Sequence, residues 1–495
     1  MLIFIKKVVL IYIYCDFLDL IMYYVKENLF IIIIAFFATI AGLLFGFDTG
    51  VISGALQFIS KTFSITSSNV GLKEVIVSSV PIGALIGACL SNISSRVIGR
   101  RNSIILTALL FIIGTLIACC ASSVYEVVIG RLIMGLAVGL SAMIVPMYLS
   151  EVSPAKIRGS IVFCFQLAIT IGLLGAFVIN YFFAESENWR AMFAVGLIPS
   201  ILLGVGMLFL PYSPRWLVMQ KRNEEARKIL KKLTSKEDVT FDINEIKGSL
   251  NKKHKGFSKV FSKPIFTVAI ICFLLFAFQQ LIGINTIMYY APTIYQHAGF
   301  AGSKGQILAS LADGVAFVLA TLVGIWAVDK FGRRRLFFIG FTGMIFCLCL
   351  LGFIYQRFFS LHTSQLLALA SVVGYIIFFG ISLGPLCYLM MSELFPLTYR
   401  GVGMAIASCG NWGFNVLVSS TFLTLIHILT ISYTFFLYAI CTFVGLLFCY
   451  FLVPETKGVS LEKIESNLYG GMASRDLGVK LRSHKTDVIG REILV

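Results

Sequence analysis

Runs of about twenty or more apolar residues recur along the whole chain, set apart by short polar stretches. A helix rises about 1.5 Å per residue, so roughly 20 such residues cross the ~30 Å of bilayer hydrocarbon. The pattern predicts twelve spanning helices, at 28–58, 72–92, 103–121, 125–149, 160–182, 190–211, 264–295, 306–328, 336–354, 366–391, 401–426 and 431–453. Composition agrees: 58% of the 495 residues are hydrophobic and 13% charged, against about a quarter charged in soluble domains. The fold class expected is all-α and integral to a membrane, and the lipid bilayer is its first partner.

Charge orients the bundle. Lys and Arg total 40 against 24 Asp and Glu. That excess would suggest nucleic acid in a soluble protein, but here it sits in short loops, so no nucleic-acid partner is expected. The loop 92–102 holds Arg96, Arg100 and Arg101, and 329–335 holds Lys330, Arg333, Arg334 and Arg335. The stretch 212–263 and the tail beyond Thr456 are also basic, whereas 59–71, 183–189, 296–305 and 427–430 are nearly free of Lys and Arg. The positive-inside rule puts both termini and 212–263 in the cytoplasm. Residues 1–27 form an N-terminal extension, and the natural start is expected at Met22. Bundles at 28–211 and 264–453, a helical linker at 212–263 and a tail at 454–495 complete the expected organisation.

The halves repeat. Ser150-Glu151-x-x-Pro154-x-x-x-Arg158-Gly159 recurs as Ser392-Glu393-x-x-Pro396-x-x-x-Arg400-Gly401, an offset of 392 − 150 = 242. Gly99-Arg100-Arg101 recurs as Gly332-Arg333-Arg334, offset 332 − 99 = 233, and Pro211-Tyr212-Ser213-Pro214-Arg215 has a looser echo in Pro454-Glu455-Thr456-Lys457-Gly458, offset 454 − 211 = 243. Six spans, a linker and six more in the same orientation form a parallel repeat, an arrangement associated with rocking carriers whose site lies between the halves.

With Gln279-Gln280-x-x-Gly283-x-Asn285 and Tyr289-Tyr290, these motifs resemble the sugar porter branch of the major facilitator superfamily over about Leu43–Leu468. Gly46-Phe47-Asp48-x-Gly50-Val51-Ile52-Ser53-Gly54-Ala55-Leu56 and Val459-Ser460-Leu461-Glu462-x-Ile464-Glu465 are most similar to bacterial galactose/glucose-type sugar–proton symporters. The resemblance implies two six-helix bundles, a monosaccharide and a proton as partners, and import across an inner membrane by a protein expected to be monomeric.

Asp48, inside the first span, and Arg131, a few residues into the fourth, are the candidates for chemistry. A charge in hydrocarbon is expensive and usually functional. Burial and a nearby cation act in opposite senses on a carboxyl, which is what proton coupling needs; the resemblance implies that coupling role, and a permanent ion pair is the alternative. Asp313 is expected at the outer rim. Side-chain amides both donate and accept, as sugar hydroxyls do. By resemblance Gln279, Gln280 and Asn285 contact sugar, with Gln166 and Asn415; Asn411 and Trp412 are neighbours. An interhelical hydrogen bond is the alternative for a single membrane amide. Gly283 is expected to loosen the helix between Gln279 and Asn285. Tyr388 stands where most relatives have Trp, and Leu173, where some pentose-binding relatives carry Gln, leans towards a hexose.

Glu151, Arg158, Glu393 and Arg400, with Arg100, Arg101, Asp329, Arg333 and Arg334, are expected to form a cytoplasmic gate whose pairs are weak enough to switch. Gly42, Gly46, Gly50 and Gly54 offer one smooth face for sliding contact, and Gly374, Gly380, Gly384 and Pro385 a bend in the tenth span. No HExxH or Walker loop occurs, the five histidines are dispersed, and the 12 cysteines have no metal-ligand spacing. No enzyme, cofactor or metal is expected. The function classes left are proton-coupled import, facilitated uniport and, less readily, a non-transporting receptor.

Overall fold

The structure, a computed structural model, describes the backbone of residues 2–66, 69–154, 157–234, 238–251, 265–356, 358–396, 399–459 and 461–479. Side chains are described for the same residues except 2–27, 249–251, 329, 400–402 and 462. The expectations for Met1, for the side chains of 2–27, Asp329 and Arg400, for 252–264 and for 480–495 therefore fall outside the described residues.

The chain folds into helices α1 (Leu2–Thr62), α2 (Val70–Val97), α3 (Arg100–Cys119), α4 (Val124–Val152), α5 (Arg158–Phe183), α6 (Trp189–Ala194) and α7 (Leu197–Phe209). Three short helices follow, α8 (Pro214–Met219), α9 (Asn223–Thr234) and α10 (Thr240–Asn251). The second set is α11 (Ile265–Leu281), α12 (Ile284–Tyr289), α13 (Ala291–His297), α14 (Gly302–Phe331), α15 (Arg333–Ile354), α16 (Leu361–Ile381), α17 (Leu383–Leu394), α18 (Arg400–Ser419) and α19 (Phe422–Leu452), then α20 (Leu461–Tyr469). Among the described residues eleven helical segments are long and apolar enough to cross a membrane. The expected span 401–426 is α18 and the start of α19; Ser408, Asn411 and Asn415 dilute its apolar character.

The repeat in the sequence is a repeat in packing. In one half α1 lies on α5, α2 on α4 and α3 on α7; in the other α11 lies on α18, α14 on α16 and α15 on α19. The halves meet where α5 packs on α14 and, in the matching place, α2 on α18. Gly99 and Gly332 both have φ +85°, a conformation a side chain resists, and each opens the helix that carries the following arginines. A Cβ at Gly99 would lie 2.7 Å from the Trp216 ring, and one at Gly332 2.8 Å from Glu455 Oε2. The Gly-Arg-Arg motif is thus a turn held tight against the Pro-x-Ser-Pro-Arg-Trp run in one half and the Pro-Glu-Thr-Lys-Gly run in the other.

Gly42, Gly46, Gly50 and Gly54 give α1 one smooth face for close helix contact, and the helix it meets is α5 of the same half. A Cβ on Gly46 would sit 1.8 Å from the Ile169 carbonyl oxygen, and one on Gly172 of α5 2.0 Å from that of Leu43. Backbone-to-backbone contact this close locks α1 to α5 inside one half. Leu173 belongs to the same seam: it is buried, and its backbone presses on Gly46 and Gly50. The helix breaks are elsewhere. Gly283, at φ +89°, separates α11 from α12, and Ser382, at φ −116° and ψ −93°, separates α16 from α17 between Gly380 and Gly384. In the linker Trp216, Leu217, Ala226, Leu230 and Ile243 form a small apolar core, and the Trp216 indole N–H donates to the Arg96 carbonyl at 3.0 Å.

Candidate functional site

Asp48 of α1 and Arg131 of α4 meet inside the first half. Arg131 Nη1 donates to Asp48 Oδ1 at 3.3 Å, with side-chain exposures of 0% and 4%. Arg131 Nε donates to the Ile76 carbonyl at 2.8 Å, anchoring the guanidinium to α2. Among the described residues, Asp48 Oδ2 and Arg131 Nη2 have no hydrogen-bond partner. The carboxyl borders a cavity of about 10 Å³ lined also by Phe47, Val51, Thr115 and Phe193, close to the space one water fills. A buried charge that loses its partner costs about 3–5 kcal/mol, so protonation of Asp48 and displacement of Arg131 are energetically linked. The arrangement can hold a proton in one geometry and release it in another.

The amides gather in the second half, along its seam with α1. Asn285 Nδ2 donates to Gln280 Oε1 at 2.6 Å, and Gln280 Nε2 donates to Asn411 Oδ1 at 2.6 Å. Five residues separate Gln280 from Asn285; the left-handed turn at Gly283 lets the chain fold Asn285 back to it. Gln279 Nε2 instead donates to the Leu383 carbonyl at 2.8 Å, across the break between α16 and α17. Asn415 lies one turn beyond Asn411, is buried, and its Oδ1 has no partner. The Trp412 ring lies 5.6 Å from that of Phe45 on α1, tilted by 44° to it. Tyr388 is 40% exposed, with its ring edge-on to Phe276 at 4.9 Å. Gln166, on α5, is half-buried. Gln280, Asn285 and Asn411 are therefore one hydrogen-bonded chain, Asn415 continues their line, and Gln279, Tyr388 and Gln166 stand around it.

At the arginine-rich end the described ion pairs stay within one half. Arg100 Nη2 meets Glu151 Oε1 at 2.9 Å, and Arg333 Nη2 meets Glu393 Oε1 at 2.7 Å. Ser213 and Thr456 donate hydroxyls to the same two acids, Glu151 and Glu393. Glu455 accepts the backbone N–H groups of Arg333 and Arg334 at 3.1 and 2.9 Å, a carboxylate at a helix start where four N–H groups lack partners. Among the described residues the Arg101 and Arg334 side chains meet carbonyls at a helix end rather than acids, Arg101 donating to Met207 at 3.0 Å and Arg334 to Tyr450 at 2.6 Å. Arg158 is exposed. Glu151 and Glu393 thus each pair with the Gly-Arg-Arg motif of their own half.

The opposite end carries contacts that cross between halves. Glu74 of α2 is 4% exposed, and its carboxylate accepts the backbone N–H and the hydroxyl of Thr424, both at 2.7 Å. Lys304 of α14 pairs with Glu185, which follows α5; that hydrogen bond and the ammonium charge hold the Glu185 carboxyl below its usual range. Asp313, expected at the rim, is instead fully buried: Tyr295 donates its hydroxyl to Oδ1 at 2.7 Å, because α13 packs over that face of α14. Sequence reading passed over Glu74. An acid two residues into an apolar span was the signal that could have found it.

The profile of the family described as "Sugar (and other) transporter" matches residues 34–468. The chain is 39% identical over 447 residues to the galactose-proton symporter of Escherichia coli (strain K12), covering 90% of this chain and 96% of that protein. It is 38% identical over 461 residues to the arabinose-proton symporter of the same organism, covering 92% and 96%. Its structure resembles the partially occluded inward open conformation of the xylose transporter XylE from E. coli, with TM-score 0.77, 33% identity, and coverage of 87% of this chain and 99% of that one. The chain belongs to the sugar transporter family, with the two-bundle fold of the major facilitator superfamily.

Proposed function

We propose that the protein imports a monosaccharide, with a hexose such as galactose or glucose as the first substrate to test, together with a proton, by alternating access. The observation that carries this reading is the buried Asp48–Arg131 pair of one half together with the linked row of amides of the other. The row supplies donors and acceptors for hydroxyls; the pair supplies a carboxyl whose charge depends on where Arg131 stands. Similarity to proton symporters for galactose and arabinose supports both halves of the proposal.

Bundles at 28–211 and 264–453 rock about the seam, joined by the linker at 212–263. The arginine-rich end, both termini and the linker face the cytoplasm, and the chain works as a monomer in a bacterial inner membrane, without a catalytic step. Glu74–Thr424 and Lys304–Glu185 then close the outside, while Arg100–Glu151 and Arg333–Glu393 are each parked within their own half, free to re-pair across the gap. Sugar gains its hydrogen bonds at the amide row, and Asp48 carries the proton that must travel with it. In de-energised cells expressing the protein, adding galactose, glucose, arabinose or xylose in turn is expected to raise external pH with at least one of them. Uptake of labelled sugar with no pH change for any would contradict coupling and leave a facilitated uniporter.

A further inference from the structure

Asp313 lies eleven residues past the start of α14 (313 − 302 = 11), and the proposed cycle makes no use of it. It is 0% exposed. Its neighbour Gly314 is pressed against α5 of the other half: a Cβ there would lie 2.9 Å from the Phe177 ring and 3.1 Å from the Leu174 Cα. α13 covers another side. Its Tyr295, also 0% exposed, donates its hydroxyl to Asp313 Oδ1 at 2.7 Å. Among the described residues Asp313 Oδ2 has no hydrogen-bond partner.

The elements packed on α14 are α5, α13, α15, α16 and α17, and among the described residues none of them brings a cation to this carboxyl. Lys304, nine residues earlier on α14 (313 − 304 = 9), is taken by Glu185 and lies over the Tyr181 ring of α5. Tyr375 of α16 donates to the Ile282 carbonyl, and Tyr355, which follows α15, to the Ile294 carbonyl, both at 2.9 Å. His297 ends α13 and His362 opens α16, both at the outer end. Arg333 of α15 and Glu393 of α17 pair with each other at the opposite end. A carboxylate at Asp313 would thus be a buried charge without a counter-ion, which costs far more than the one unmade bond of a neutral acid. The neutral acid also suits the geometry: Tyr295 serves the carbonyl oxygen Oδ1, and the proton belongs on Oδ2. α13 is a separate segment, cut off from α12 at Tyr290 (φ −114°, ψ 19°) and ended by Gly299 at φ +94°.

We propose that Asp313 is a proton-binding site distinct from Asp48, filled from the outside and sealed by α13. With α13 seated the carboxyl is neutral. With α13 raised it meets water, where an aspartic acid ionises above about pH 3.9. Closing the outside near neutral pH therefore takes up one proton from the external medium. The protonated form belongs to the closed state, so a rise in external pH favours the open state, by up to about tenfold per pH unit for one proton. This proton does not travel with the sugar, because Asp313 is uncovered only towards the outside. The inference rests on the proposed function for one thing, that this end of the bundle opens to the outside; the transported proton stays with Asp48.

Infrared difference spectra of the purified protein without sugar read the site directly. In an Asp48→Asn background, which removes any signal from Asp48, a protonated-carboxyl C=O band is expected at pH 7, and Asp313→Asn is expected to remove it. Tyr295→Phe keeps the carboxyl and deletes the bond to Oδ1, so the band should persist and move to higher frequency. That shift carries the test should the Asp313 variant fold poorly, and a merely structural role for Asp313 gives neither change. In proteoliposomes of the Asp48→Asn protein, sugar counterflow is expected to fall as external pH rises from about 6 to 8, and adding Asp313→Asn should flatten the profile. A band at pH 7 that neither Asp313→Asn nor Tyr295→Phe alters, no band at all, or the same pH profile with and without Asp313→Asn would overturn this inference. None of these results bears on Asp48: the proposed coupling fails only if Asp48→Asn alone still accumulates sugar.

Discussion

Replacing Glu74 by Ala tests the closed end of the bundle. The carboxylate takes two hydrogen bonds from Thr424, each at 2.7 Å, from a position 4% exposed. A hydrogen bond to a charged group contributes roughly 1.5–3 kcal/mol. The two share one carboxylate, and opening the outside would return that carboxylate to water, so the net bias towards the closed state is about 2–3 kcal/mol. At 1.4 kcal/mol per tenfold, Glu74→Ala is expected to move the closed-to-open ratio by about 30- to 140-fold. Spin labels at Tyr125 and Phe358, exposed residues of the two halves at this end, report the change as a distance distribution by pulsed electron resonance, in a background with the native cysteines replaced. The variant should show a new, longer distance in the absence of sugar. An unchanged distribution would refute the argument that this bond holds the outside shut.

Gly46→Val drives a side chain into the Ile169 carbonyl, 1.8 Å from its Cβ; overpacking of this kind costs about 1–3 kcal/mol or more, and a lower Tm in detergent is expected, whereas Gly71→Ala, with nothing within 4 Å of the new Cβ, should leave Tm unchanged. Cys89 and Cys409 are exposed free cysteines on α2 and α18, which pack together across the halves, so copper–phenanthroline oxidation is expected to join them; after cleavage in the linker the two fragments should run together on a gel until reduced. Glu185 is held below its usual range by Lys304, so the contact is present above the ordinary Glu pKa of about 4.3 and lost only as pH falls through the lowered value. The pH profile of uptake by Glu185→Gln should therefore parallel that of the unaltered protein from pH 5.5 to 7.5, and a gap that grows towards acid would contradict the assignment.

The fold was readable because the bilayer admits few structures: every apolar run long enough to span has to be a helix that satisfies its own backbone. The repeat was readable for a related reason. Gly99 and Gly332 are needed at a positive φ, and the acids that pair with Arg100 and Arg333 recur with them. Asp48 stood out because a charge in an apolar run has few innocent explanations. What the sequence withheld is partnership. Gln279 looks like its neighbour Gln280, yet one amide secures a helix break and the other joins the row. The four glycines of α1 have the spacing of a mobile interface, and only the position of the Ile169 carbonyl marks it as fixed. Asp313 reads as a rim residue by its place in the run; a tyrosine 18 residues earlier buries it. Glu74 and Thr424 are 350 residues apart, and no local pattern joins them.

Asp48→Asn, reconstituted in proteoliposomes with an imposed inward proton gradient, tests the central claim most directly. Asparagine keeps the size and the hydrogen-bonding oxygen of Asp48 but cannot exchange a proton. The expected result is sugar counterflow near that of the unaltered protein with no accumulation above the external concentration. Accumulation at the unaltered level would contradict the assignment of the proton to Asp48.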